Sequence, residues 1–147
     1  MADDCIFCRI ADAELPAHKL FEDDLVFAFL DLHPIREGHA LIIPKHHHAW
    51  FEDLPEPTAA RIMAVGQRLA RAMKLEWGVE RVSFFYTGIH VPHAHAHVVP
   101  MHHRHDVTSP RYLEAGIDEF SLPESPGAET LAQTAVRVRA RLTEATL

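Results

Sequence analysis

The segment from His93 to Val99 reads His-Ala-His-Ala-His-Val-Val, and this alternation constrains the fold more than any other feature of the sequence. Side chains of a β-strand point alternately to its two faces, so a strand over 93–100 places His93, His95 and His97 on one face. Buried imidazoles each need a hydrogen-bond partner. The row is therefore an exposed polar face, a metal-binding patch or a reaction site, and the apolar residues that flank it favour a central strand.

A single metal ion cannot bind all three histidines of such a strand. Residues four apart are separated by about 13 Å at roughly 3.3 Å per residue, whereas ligand nitrogens lie about 2.1 Å from a zinc ion. Histidines two residues apart can share an ion, but at least one of the three is left for other work. A nucleophilic imidazole flanked by two supporting ones fits this pattern better.

The remaining pattern predicts one α+β domain over 1–147, an antiparallel sheet with packed helices, because strands outnumber helices and arrive as hairpins. Apolar residues at helical spacing predict two longer helices. The polar, proline-marked segment 102–127 shows no clear period. The predicted elements are a short helix or turn at 5–13, strands at 19–22, 25–32, 39–43, 81–87 and 93–100, and helices at 58–77 and 128–145.

Charge and cysteine usage exclude several classes of protein. A net charge of −7 argues against a broad cationic surface for nucleic acid. The N-terminus is acidic where a signal peptide is basic, and no run of 18 apolar residues exists, so we expect a cytoplasmic protein without a membrane partner. Cys5 and Cys8, the two cysteines, are three apart, a spacing that in a reducing compartment indicates a metal site or free thiols rather than a disulfide.

Several motifs, in order over residues 5–101, resemble those of the histidine triad family, whose signature is His-φ-His-φ-His-φ-φ. Beside the 93–99 match, the N-terminal Cys-Ile-Phe-Cys-Arg-Ile resembles the first segment of the family. Residues 29–32, Phe-Leu-Asp-Leu, resemble its ribose-binding strand. Residues 38–47, Gly-His-Ala-Leu-Ile-Ile-Pro-Lys-His-His, resemble its Gly-His-x-Leu-φ-φ-Pro-Lys-x-His segment.

The resemblance implies the histidine triad fold and a nucleotide hydrolase that acts at the α-phosphorus through a covalent nucleotidyl-histidine intermediate. It makes His93, His95 and His97 the catalytic set, with His95 as nucleophile and His97 as ligand of the phosphate. Asp31 would accept hydrogen bonds from the ribose hydroxyls; the alternative is a solvated carboxylate at the end of a hairpin. His39 is either a partner of the site residues or a satisfied strand histidine.

The resemblance also assigns the walls of the nucleotide site, and here the sequence departs from the family pattern. The wall of the base would be formed by Ile6, Phe7, Leu30 and Leu32, although plain core packing explains each of them nearly as well. His90 stands where the family has a phosphate-binding serine or glutamine, and Thr87 is the nearest polar candidate for an expected asparagine. These two departures concern the choice of leaving group.

In one branch of the family, zinc is bound by the residues that correspond to Cys5, Cys8, His47 and His93. Such a closed Cys₂His₂ set implies a structural ion, which would also anchor the His93 end of the strand. The alternatives are two reduced cysteines without metal, or replacement of His47 by His46 or His48, since the three are adjacent.

The resemblance therefore predicts a hydrolase of nucleoside 5′-phosphoramidates or similar purine nucleotide conjugates. The alternatives are a dinucleoside-polyphosphate hydrolase, and a non-enzymatic protein that binds nucleotide or metal. Family members commonly form homodimers, for which the long helix and the strand over 81–87 are the expected seam.

Overall fold

A computed structural model describes residues 4–88, 90–107 and 123–144. Within these ranges it confirms the α+β class, with five strands in one antiparallel sheet and three α-helices. The elements are α1 (Ile6–Ala11), β1 (Lys19–Glu22), β2 (Val26–Leu30), β3 (Ala40–Pro44), a 3₁₀ turn (Phe51–Asp53), α2 (Glu56–Trp77), β4 (Val82–Tyr86), β5 (Ala96–Pro100) and α3 (Ala128–Glu144).

The strands lie in the order β1-β2-β3-β5-β4, so β5, which carries the end of the histidine row, lies between two neighbours. Leu41 of β3 and Phe85 of β4 flank His97 on either side. Because β5 has neighbours on both sides, its position in the sheet is held by two ladders.

The two faces of the sheet form separate cores. Ala28 of β2, Ile42 of β3 and Val98 of β5 point to one face of the sheet. On that face they pack beneath α2 and α3. Phe29 and Leu41 are on the other face and pack against α1. Of the described helices, only the short α1 packs on this second face, which leaves room beside it for a site.

The histidine segment departs from the predicted strand, because β5 begins at Ala96 and not at residue 93. The His93 N–H donates to the Val91 carbonyl (2.8 Å), and the Ala94 N–H donates to the His48 carbonyl (2.6 Å). These bonds take residues 93–95 out of the β-ladder, so the three histidines do not form a uniform row.

The other boundaries agree with the sequence to within a few residues. The long helix begins at Glu56 and ends at Trp77, where Gly78 adopts φ +64° as the C-cap. The 3₁₀ turn was not predicted. Residues 108–122 of the predicted polar segment and residue 145 of the predicted last helix lie outside the described residues. Within the described ranges, no helix has both the length and the apolar character that a bilayer crossing requires.

Candidate active site

A cavity of about 430 Å³ opens beside α1 on the second face of the sheet. Its walls are apolar side chains, and its polar groups are a carboxylate, a hydroxyl and several imidazoles. All nine residues that the resemblance assigned to the nucleotide border this one cavity: Ile6, Phe7, Leu30, Asp31, Leu32, Thr87, His90, His95 and His97.

The apolar wall includes residues that the motif comparison did not single out. Phe29 and Leu41 face this side of the sheet from β2 and β3, and Ile10 reaches it from α1. Leu30 alternates to the other face, where it is 1% exposed in the core beneath α2. The period-two alternation of β2 could have identified Phe29 as the wall residue of this strand.

His95 is oriented by the backbone just before it. Its Nδ1 lies 2.6 Å from the His93 carbonyl oxygen, which can only accept, so Nδ1 carries the proton. In the neutral ring Nε2 then holds a lone pair. Burial is the main influence on the pKa of His95 and lowers it below 6.5. Phe7 packs edge-on against the ring at 5.1 Å.

His97 faces the same cavity and belongs to a chain of hydrogen bonds. Its Nδ1 is 2.9 Å from Nε2 of His39, and its Nε2 is 3.2 Å from the Thr87 hydroxyl. Phe85 stacks on the ring at 4.8 Å and only 8° from parallel, which fixes the ring plane. Burial lowers the pKa of His97 to about 3 and that of His39 to about 4, so both rings are neutral near pH 7.

Asp31 lies in the turn between β2 and β3, at the polar end of the cavity. One carboxylate oxygen accepts the His33 N–H at 2.7 Å, and the backbone N–H of Asp31 donates to the His39 carbonyl at 2.9 Å. These bonds leave acceptor capacity on the carboxylate for a ligand, since an ionised carboxyl offers about four lone-pair sites.

His93 turns away from the cavity towards the N-terminal segment. Its Nε2 donates to the Pro44 carbonyl at 3.0 Å, which leaves Nδ1 without a proton in the neutral ring. That nitrogen is 3.4 Å from Cys5 Sγ and 3.5 Å from Cys8 Sγ. His47 completes the group, with Nδ1 3.4 Å from Cys8 Sγ.

The donor atoms of Cys5, Cys8, His47 and His93 all lie within 4.8 Å of one another. A tetrahedral zinc ion with Zn–S near 2.3 Å and Zn–N near 2.1 Å holds sulfur and nitrogen about 3.6 Å apart. The observed distances of 3.4–3.5 Å fit that geometry. The four residues can therefore hold a metal ion, and His47, rather than His46 or His48, belongs to the group.

A second, smaller cavity of about 140 Å³ also borders His95 and Thr87. Trp50 packs on Gly88, where an added Cβ would lie 3.2 Å from the indole ring. Phe51 and Tyr86 form another wall, with ring centroids 5.4 Å apart. No lysine or arginine is among the described residues that line either cavity.

Comparison with known proteins agrees with these features. The HIT domain model matches residues 12–104. An adenosine 5′-monophosphoramidase of Saccharomyces cerevisiae is 43% identical over 97 residues, which are 65% of this chain and 61% of the yeast protein. An adenylylsulfatase of Arabidopsis thaliana is 31% identical over 109 residues, 71% of this chain and 55% of the plant protein. The chain thus matches less than two thirds of either relative's length.

The fold has counterparts among solved structures. The crystal structure of a zinc-bound histidine triad family protein from Mycobacterium smegmatis superposes with a TM-score of 0.75 at 29% identity, covering 98% of this chain and 96% of that one. Sequence motifs, sheet topology and the domain match agree, and the chain belongs to the HIT domain, or histidine triad, family.

Proposed function

We propose that the protein hydrolyses nucleoside 5′-phosphoramidates, with His95 as the covalent nucleophile at the α-phosphorus. One observation carries this proposal: the bond from Nδ1 of His95 to the His93 carbonyl leaves the Nε2 lone pair of a neutral ring at the edge of the nucleotide-sized cavity. A neutral imidazole held in this way is a competent nucleophile.

The proposed reaction has two steps, transfer of the nucleotidyl group to His95 and hydrolysis of the resulting intermediate. Nε2 of His95 forms a bond to phosphorus while the phosphorus–nitrogen bond to the leaving amine breaks in line with it. The electron pair stays on the leaving nitrogen, which takes a proton from solvent water. A second water then attacks phosphorus, and the phosphorus–histidine bond breaks with its electron pair returning to Nε2. The proton that this water loses neutralises the hydroxide left by the first, and the nucleoside monophosphate is released. The net change is phosphoramidate plus water to monophosphate plus amine.

The other cavity residues bind and orient the substrate. Nδ1 of His39 accepts the Ile35 N–H, so its Nε2 donates to Nδ1 of His97 and leaves the His97 proton on Nε2. That N–H, directed at Thr87 in the structure, would donate to a non-bridging phosphate oxygen and stabilise its charge in the transition state. Asp31 would accept the ribose hydroxyls. The apolar walls, with Phe29 beside the expected Ile6 and Phe7, suit a purine base.

The charge of the lining favours a phosphoramidate over the alternative, a dinucleoside polyphosphate. A polyphosphate leaving group carries several negative charges, and the described lining of both cavities offers it no lysine or arginine, while Glu52 adds a carboxylate. An uncharged amine meets no such penalty. Two relatives are named an adenosine 5′-monophosphoramidase and an adenylylsulfatase, and neither name refers to a dinucleoside polyphosphate.

We further propose that Cys5, Cys8, His47 and His93 hold a structural zinc ion. When bound, zinc would supply four fixed bonds with no open position, and so no catalytic chemistry of its own. Its effect on the reaction would pass through His93, whose carbonyl accepts the His95 proton. The thiolate ligands suit a reducing compartment, in keeping with a cytoplasmic protein.

A homodimer through β4 and α2 completes the proposal. β4 is an edge strand of the sheet, and no strand among the described residues pairs with its outer side. All five of its residues are half-buried, and Met63 on α2 is 47% exposed. A second copy of the chain would extend the sheet and cover these side chains.

The test uses an adenosine 5′-phosphoramidate and quantifies released monophosphate. His95→Ala should lose turnover, while His103→Ala, which removes an exposed histidine outside both cavities, should keep it. Rapid quench of the wild type followed by peptide mass spectrometry should locate a nucleotidyl group on His95. Equal turnover by wild type and His95→Ala, or nucleotide binding without any release, would refute the enzymatic proposal.

A further inference from the structure

The cavity of about 140 Å³ and the nucleotide cavity share two of their lining residues, His95 and Thr87. In the proposed reaction the phosphorus atom lies beside His95, between the nucleoside in the larger cavity and the amine that leaves. The smaller cavity begins at the same histidine and has room for about five water-sized groups, since each takes about 30 Å³. Its size therefore suits a short amine attached to the phosphorus atom.

Three aromatic rings line this smaller cavity. Trp50 and Phe51 reach it from the segment that precedes α2, and Tyr86 reaches it from the end of β4. The ring centroids of Phe51 and Tyr86 are 5.4 Å apart. The face of an aromatic ring carries negative charge density and attracts a cation within about 6 Å of its centroid. Three such rings around a small space favour a ligand with a positively charged end.

The charge of the lining also favours a cation. Glu52 lines the cavity beside Phe51, and no described residue forms an ion pair or a hydrogen bond with its carboxylate. Burial lowers the pKa of His95 below 6.5 and raises that of Tyr86 to about 12, so both side chains are neutral near pH 7. Because no lysine or arginine belongs to the described lining, Glu52 gives the cavity a net negative charge.

We propose that residues 50–52 form a subsite for the leaving group and select an amine with a second, positively charged end, such as an aliphatic diamine. This inference rests on the proposed function and names the class of leaving group, which that proposal leaves open. The far ammonium group would lie against the ring faces of Trp50 and Phe51 and beside the Glu52 carboxylate. An amine with a carboxylate at its far end would be repelled by Glu52.

Three adenosine 5′-phosphoramidates test the selection by charge. Their amines carry the same chain of four methylene groups and end in an ammonium group, a methyl group or a carboxylate. We expect kcat/KM to be about threefold to thirtyfold higher for the ammonium compound than for the methyl compound, from one exposed cation–π contact and one exposed ion pair. The carboxylate compound should be the slowest of the three, and high salt should reduce the advantage of the ammonium compound.

Variants of the same turn separate the charge of the subsite from a general effect of the surface. Glu52→Gln should lower the ratio of kcat/KM between the ammonium and methyl compounds by up to about fivefold, and Trp50→Leu should lower it by a similar factor. Asp53 is the matched control, because it is the next residue and also exposed but is not among the residues that line the cavity. Its backbone N–H closes the turn on the Trp50 carbonyl, a bond that Asp53→Asn keeps. This variant should retain the wild-type ratio.

A second set of compounds makes the test independent of turnover. In these phosphonates a CH₂ group replaces the leaving nitrogen, so the protein can bind them but cannot hydrolyse the phosphorus–carbon bond. Calorimetry with the wild type should show tighter binding of the ammonium-ended phosphonate than of the methyl-ended one, and Glu52→Gln should reduce the difference.

The outcomes separate the subsite from the proposed function. If the wild type releases no monophosphate from any phosphoramidate, the proposed function fails, and the binding preference for the phosphonates decides whether the subsite stands. If the wild type cleaves the phosphoramidates, the ratio of kcat/KM decides. Equal values for the ammonium and methyl compounds, a preference for the methyl or carboxylate end, or an equal loss of preference in Glu52→Gln and Asp53→Asn would refute the subsite.

Discussion

Replacing Gly38 by alanine should destabilise the protein far more than the same replacement at Gly78. Both glycines have positive φ, +91° at Gly38 and +64° at Gly78. A Cβ added at Gly38 would collide with the Trp77 ring, meeting Cη2 and, at 2.6 Å, Cζ3. No described atom lies within 4 Å of a Cβ added at Gly78. Alanine at either position is therefore strained by the positive φ, but only alanine at Gly38 also collides with Trp77.

The size of each effect follows from these two contributions. Forcing an alanine into the left-handed region costs about 1–2 kcal/mol, which is the whole expected loss at Gly78. At Gly38 the collision adds the cost of overpacking, about 1–3 kcal/mol. Trp77 cannot move away freely, because it packs on the core beneath α2. The expected loss in unfolding free energy at Gly38 is therefore about 2–5 kcal/mol.

Urea unfolding of wild type, Gly38→Ala and Gly78→Ala, compared at equal m-values, measures this difference. The double variant Gly38→Ala with Trp77→Leu should recover part of the loss, because the smaller side chain gives the new methyl group room. Equal destabilisation at the two glycines, or strict additivity in the double variant, would refute the steric argument. Because Gly38 precedes His39, the same variants show whether the turn also holds the site.

Three further predictions concern the metal group, the ribose site and the ion pair between buried Asp106 and exposed Arg36. Elemental analysis of the untagged protein should give about one zinc per chain, and Cys8→Ser should lose it; metal-free protein of equal stability would contradict the structural role. Asp31→Asn should raise KM for a ribonucleotide conjugate about tenfold to a hundredfold, from hydrogen bonds worth about 1.5–3 kcal/mol, but not for the 2′,3′-dideoxy analogue; equal effects on both would exclude the ribose contact. Burial acts to raise the pKa of Asp106, but the Arg36 guanidinium at 2.7 Å and the His103 N–H outweigh it and hold the pKa below 3.8. The unfolded chain therefore binds this proton more readily, and acid unfolding below about pH 4 should cost the wild type stability that Asp106→Asn does not lose; parallel pH profiles would contradict this.

The local pattern predicted the elements well, because apolar periodicity and turn residues act over short stretches of chain. It failed at His93, where a strand was predicted from residue 93 and β5 begins at Ala96. The bond that removes Ala94 from the ladder comes from the His48 carbonyl, 46 positions earlier in the chain, and no local signal reports such a contact. The alternating pattern therefore predicted that the three histidines lie on one side of the sheet, but not that each ring meets a different partner.

The contact of His39 with His97 is another feature of the site that local sequence could not predict. The position of His39 one residue before β3 indicates which face it takes, but not which residue it meets. That depends on the register of β3 against β5, where Leu41 is paired with His97 across more than 50 residues of intervening chain. The motif comparison supplied the cavity residues because the family pattern already contains such long-range information, whereas the wall formed by Trp50 and Phe51 falls outside the quoted motifs.

The three alternating histidines acquire different chemistry because each has a different fixed partner. In a neutral imidazole, binding one nitrogen as donor or acceptor determines the other. The Pro44 carbonyl leaves Nδ1 of His93 bare towards the cysteines, and the His93 carbonyl leaves Nε2 of His95 bare towards the cavity. His39 accepts the Ile35 N–H at Nδ1 and donates from Nε2 to Nδ1 of His97, so the proton of His97 stays on the nitrogen that faces the cavity. In the proposed reaction, a ligand nitrogen, a nucleophile and a donor would thus coexist before substrate arrives, and no proton would have to move among these rings before attack. Such preorganisation would remove a reorganisation cost from the reaction barrier.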